Sequence, residues 1–117
     1  MDRASAVRKI EASLASSQVQ LITPAGKTYE DHVAALSEKL LDSVISPFQV
    51  KVTRSIVQDE SFELYESATV WAIAGTSQGW LLTIEGSDEF ALGFGDDPDN
   101  IMMHGCSSSD ALGEWCS

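Results

Sequence analysis

Four short stretches of this sequence bring together residue types that chemistry uses. "GTSQG", Gly75 to Gly79, matches G-x-S-x-G, and Ser77, Asp96 or Asp99, and His104 follow in the chain order of an α/β-hydrolase triad. That chemistry needs the serine on a strained turn from a buried strand into a helix, with its hydroxyl beside oxyanion donors. Here "WLLTIE" follows the motif and reads as a strand, while Gly, Thr, Ser and Gln are ordinary hairpin residues. A hairpin turn is the expected structure.

"GDDPDN", Gly95 to Asn100, offers carboxylates for a hard cation. An EF-hand loop starting at Asp96 would place Pro98 at position three, Ile101 where glycine is required and Ser107 where a bidentate glutamate is required, so the motif fails. Asp97 precedes Pro98, which presets a turn dihedral, and Asp99 and Asn100 tolerate the left-handed region and can bond to their own backbone. The stretch reads as a turn, with a weak surface cation site on Asp96, Asp97 and Asp99 as the alternative. "MMHGC", with Cys116 further on, gathers His104, Cys106 and methionines, soft ligands that suit zinc or Cu(I). The closely paired spacing of structural zinc sites is missing, and a core strand with a buried cysteine is the simpler expectation. His32 follows Glu30 and Asp31, a carboxylate–imidazole neighbourhood. Acidic residues in a first helical turn also complement the helix dipole, and that reading is preferred. No catalytic residue, cofactor or metal is assigned.

The whole chain limits what these residues can serve. At 117 residues, with 44% apolar content, it is expected to form one α+β domain over residues 1–117. No apolar run is long enough to cross a membrane, and charges interrupt the N-terminus where a signal peptide would be apolar. A cytoplasmic protein with two reduced cysteines is expected.

Charge is laid out unevenly. All seven basic residues lie in residues 1–54, which carry a net +1, whereas residues 55–117 carry twelve acids and no Lys or Arg. Such a field repels nucleic acid and acidic membranes and attracts basic proteins or cations. An acidic surface that only confers solubility is the competing explanation.

The elements that must position these residues follow from periodicity. Asp2 can cap a helix carrying Val7, Ile10 and Leu14; Thr28 and Asp31 can cap a second, with a stripe through Tyr29, Val33, Leu36, Leu40 and Val44 that Pro47 ends. From Phe48 the period becomes two, giving a strand through Phe48, Val50 and Val52, then "SFELYE", "TVWAIA", "WLLTIE", "EFALGF" and "IMMHG". Short connections favour an antiparallel meander of about five strands, closed by a short C-terminal helix in "SSSDALGEW".

Hairpins pairing Ala74 with Trp80 and Glu85 with Asp88 would place Trp71, Ile73, Leu81, Thr83, Phe90, Leu92 and Phe94 on one face. Val70, Ala72, Ala74, Trp80, Leu82, Ile84, Ala91 and Gly93 would take the other. The bulky face should meet the long helix, and the smaller-residue face should be covered by another helix or by a second subunit in a homodimer.

In size and acidity the chain is generally similar to small acidic bacterial inhibitor and immunity proteins, although no residue motif carries that resemblance. The function expected is non-catalytic binding, with Glu85, Asp88, Glu89, Asp96, Asp97 and Asp99 docking a basic protein partner. The alternative is a small enzyme or a ligand- or metal-binding protein with a pocket near His104, Cys106 and the Asp96–Asp99 loop.

Overall fold

The computed structural model describes residues 1–16, 29–56, 60–75, 79–104 and 107–115. Helix α1 (Arg3–Ser16) begins where the Asp2 carboxylate accepts the Ser5 N–H at 2.8 Å, the capping that the sequence suggested. Those bonds to Ser5 also hold the Asp2 carboxyl below its ordinary pKa. Helix α2 (Tyr29–Asp42) turns Leu40 fully inward, with Val33 and Leu36 partly buried beside it. It stops before Pro47, because Ser43 closes the last turn with bonds to the Lys39 and Leu40 carbonyls.

The chain then enters strand β1 (Val44–Val50), with Pro47 inside it. Expected as a helix terminator, Pro47 instead lies on an edge strand, within the irregular register between Val44 and Phe48. A missing N–H is tolerated at such a place. The single strand expected from Phe48 to Thr53 is in fact two. After Lys51 comes β2 (Val52–Ser55), and the six-stranded sheet has the order β1-β3-β4-β5-β6-β2.

Between them, β3 (Val70–Gly75), β4 (Trp80–Ile84), β5 (Phe90–Phe94) and β6 (Ile101–Met103) form the expected antiparallel meander. β1 flanks β3 antiparallel, while β2 flanks β6 in parallel. Both edges of the sheet thus belong to one run of chain with only Lys51 between them. The sheet must curl until its edges meet, and Lys51 links them, donating to Pro98 O at 2.7 Å and accepting from Ile101 N at 2.9 Å.

"SFELYE" is also corrected: it lies in helix α3 (Glu60–Ser67), not in a strand. Glu60 and Glu63 occupy its first turn, where carboxylates suit the dipole, and Tyr65 turns inward while Leu64 stays 46% exposed. Phe62 and Tyr65, three residues apart, share the buried side of the helix.

Two apolar clusters lie on the two faces of the sheet. One joins Ile73, Ala74, Leu81, Phe90 and Leu92 to Ala6 and Ile10 of α1, Leu40 of α2, and Ala111 and Leu112 of α4 (Ala111–Trp115). The other draws on all six strands, through Val50, Val52, Ala72, Leu82, Ala91 and Ile101, and is capped by Tyr65 and Phe62 of α3. The face assignment read from alternation is therefore right, with one exception. A bulge between Ala72 and Ala74 shifts the register, so Trp80 pairs with Gly75 rather than Ala74, and Ile73 and Ala74 both face the helices. Both faces are covered within one chain, which leaves the homodimer expectation without an open sheet face.

Candidate functional site

The two acidic loops are built differently. In the turn from β4 to β5, Gly86 takes a left-handed φ of 81°, Ser87 N–H bonds to Ile84 O, and Glu89 N–H bonds to the Ser87 hydroxyl. Glu85 and Asp88 are exposed, and Glu89 is half-buried. In the loop from β5 to β6, Asp97 organises the backbone: its carboxylate accepts Asp99 N–H at 2.9 Å and its carbonyl accepts Asn100 N–H at 2.9 Å. Thr53 donates to the Asn100 side chain, and Trp80 Nε1–H reaches Gly95 O at 3.2 Å. These are the bonds of a turn, as the sequence suggested, but the side chain that accepts a backbone N–H is that of Asp97 rather than of Asp99 or Asn100.

Every residue from 95 to 100 is exposed. Asp96, Asp97 and Asp99 are therefore exposed on a turn tied to the sheet through Lys51, Thr53 and Trp80. The six sequence-selected acids do not form one patch. β5 separates the two groups, and its five residues span about 13 Å.

The β4–β5 turn has a cationic neighbour that sequence reasoning missed. Lys9 crosses from α1 and donates to Ile84 O at 2.8 Å, with its Nζ 5.9 Å from the centre of the Phe90 ring. Burial lowers its pKa, and the charges of Asp88 and Glu85 oppose that shift. Lys9, Ala12, Ser13, Asp88, Phe90 and Ser109 line an open cleft of about 430 Å³ between α1 and this turn. Lys9 and Ile84 are 75 residues apart in the chain, so local sequence carried no signal for the pairing.

A second polar cluster surrounds the start of α4. Ser108 donates to Glu114 Oε1 at 3.0 Å and accepts Asp110 N–H at 3.3 Å, while Asp110 caps the helix through Gly113 N–H at 2.9 Å. Burial raises the Glu114 carboxyl above its ordinary pKa, against the Ser108 hydrogen bond, and Asp110 raises it further. The Ser108 hydroxyl is thus committed to holding the helix terminus. Tyr65, 1% exposed, is pushed well above the ordinary phenol range by burial. The Ser107 hydroxyl stands nearby, yet the Tyr65 hydroxyl makes no hydrogen bond of sound geometry.

Among the described residues, those considered for chemistry are not brought together. His104 is exposed, packs edge-on to Phe94 at 5.4 Å, and lies at the opposite end of β6 from Asp96, Asp97 and Asp99. "GTSQG" connects strand β3 to strand β4, not a strand to a helix, which removes the hydrolase elbow. Ser77, Cys106 and Cys116 lie outside the described residues, as does the Thr28 cap. Among the described residues, no group of three His, Cys, Asp or Glu side chains is placed to hold a metal ion. No helix among them is long and apolar enough to cross a membrane. No protein-family model, curated protein or solved structure matches this chain.

Proposed function

We propose that the chain is a non-catalytic binding protein whose acidic C-terminal half docks a basic protein partner. The observation that supports this most is the Asp96–Asp99 loop: three exposed carboxylates on a turn held by hydrogen bonds, with Lys51 meeting it through its backbone at Pro98. A preformed loop spares the ordering cost of association, and clustered charge accelerates encounter with an oppositely charged surface. Glu60, Glu63 and Glu66 on α3 are exposed as well and add to the same field. Glu85, Asp88 and Glu89 add a secondary acidic contact.

Measuring the association rate against ionic strength tests the proposal. A steep fall with added salt is expected, together with a roughly tenfold slower rate when Asp96, Asp97 and Asp99 are all changed to Asn. Association that ignores both salt and the triple change would remove the basis of the proposal. The alternative reading is a pocket near His104, Cys106 and the Asp96–Asp99 loop, of which Cys106 lies outside the described residues.

A further inference from the structure

The cleft between α1 and the β4–β5 turn has features that docking of a basic protein does not use. One wall carries the Lys9 ammonium, whose direct hydrogen bond goes to Ile84 O and leaves further N–H donors for another acceptor. Asp88 carries an exposed carboxylate on the other side, close enough for its charge to act on Lys9. Phe90, 1% exposed, closes the floor of the cleft beneath Lys9, and the exposed Ala12 supplies apolar lining on the helix side. The helix side is fixed rather than adaptable: Ser13, 7% exposed, donates to Ser109 O and accepts Ala111 N–H at 3.0 Å, which locks α1 to the start of α4. The space of about 430 Å³ suits a small molecule and is too small for a folded partner.

A ligand with only a negative charge would meet Asp88 and Glu85, and a ligand with only a positive charge would meet Lys9. A molecule carrying both charges a few ångströms apart, on a partly apolar body, satisfies both walls. We propose that this cleft binds a free α-amino acid, with its carboxylate on Lys9, its ammonium on Asp88 and its side chain along Ala12 of α1. The partly buried ammonium of Lys9 gains from such a ligand, since an arriving carboxylate offsets desolvation that bulk water no longer relieves. Binding here is independent of the acidic loop at the far end of β5.

The test is a titration of the isotope-labelled full chain, followed by amide NMR, with each free amino acid and with its N-acetylated and carboxamide forms. Shifts confined to Lys9, Phe90, Ser109 and their neighbours are expected with free apolar amino acids at about 10 mM or below. Blocking either charged end should weaken binding about tenfold, and so should Asp88→Asn or Lys9→Met. Asp88 is exposed and its change leaves the fold intact, so the result does not depend on how well Lys9→Met folds. No shifts in the cleft with any amino acid would overturn the proposal, and so would equal binding of the blocked forms.

Discussion

The two ends of β5 carry acidic loops of similar composition in different surroundings. At its start, Glu85 and Asp88 share their field with Lys9, and the turn forms one side of a cleft closed by α1. At its end, Asp96, Asp97 and Asp99 are exposed on a loop held by its own turn bonds and by bonds from Lys51, Thr53 and Trp80. Charge count alone does not distinguish the two. What does is whether a distant side chain builds a cleft beside the loop: Lys9 does so at the first end, whereas Lys51 meets the second through its backbone, and the proposals accordingly assign a small ligand to the first end and a protein surface to the second.

The most disruptive way to break the comparison is to damage the strand that separates the loops. A Cβ added at Gly93 would stand 2.6 Å from Leu82 Cδ1 and 2.8 Å from Ile101 Cγ2. Gly93→Ala should therefore cost about 1–3 kcal/mol in denaturant unfolding and weaken behaviour at both ends together. Next in size, Asp96, Asp97 and Asp99 changed together to Asn should slow partner association about tenfold. The same change should leave stability within about 0.5 kcal/mol, since the loop is exposed.

Lys9→Met sharpens the contrast from the other end. It removes the hydrogen bond to Ile84 O and should cost about 0.5–1.5 kcal/mol by thermal or chemical unfolding, while association through Asp96, Asp97 and Asp99 stays unchanged. Tyr65→Phe should have the smallest effect, within about 0.5 kcal/mol or slightly stabilising, because the buried hydroxyl gives up no well-formed bond.

Stability should also respond to pH through Glu114. Its carboxyl pKa is raised in the fold, so the folded state holds its proton to higher pH than the unfolded chain. This contribution is fully present below the ordinary value of 4.5 and is lost as pH rises through the folded pKa. Glu114→Gln should flatten that part of the stability curve, measured by chemical unfolding at a series of acidic pH values. An unchanged slope would mean that burial at Glu114 does not govern this range.

Much of the scaffold was legible in the sequence. Alternation in "TVWAIA", "WLLTIE" and "EFALGF" sorted the faces of β3, β4 and β5, because a two-residue period leaves little choice once one face is buried. The Asp96–Asn100 turn was legible because proline and Asx residues encode turns locally. Ala74 was misplaced by a bulge that depends on how β3 packs against both neighbours. "SFELYE" is short enough to fit either period, and its helical state is decided by where Tyr65 and Phe62 find cover.

The split of one apparent strand into β1 and β2 was invisible for a related reason. Its partners, β3 and β6, are far along the chain, and nothing local to Lys51 announces that the edges meet there. The cleft was missed on the same grounds, since Lys9, Asp88 and Ser109 come together only through tertiary packing.

The central claim is that the exposed aspartates at the end of β5 bind a basic protein. The most direct measurement is native mass spectrometry of the tagged protein recovered from its own host at low salt, alongside the variant in which Asp96, Asp97 and Asp99 are Asn. The account predicts a complex with a basic protein for the unaltered chain, released by added salt and absent with the variant. A bare chain in both preparations, or a complex that survives salt and the triple change alike, would contradict it.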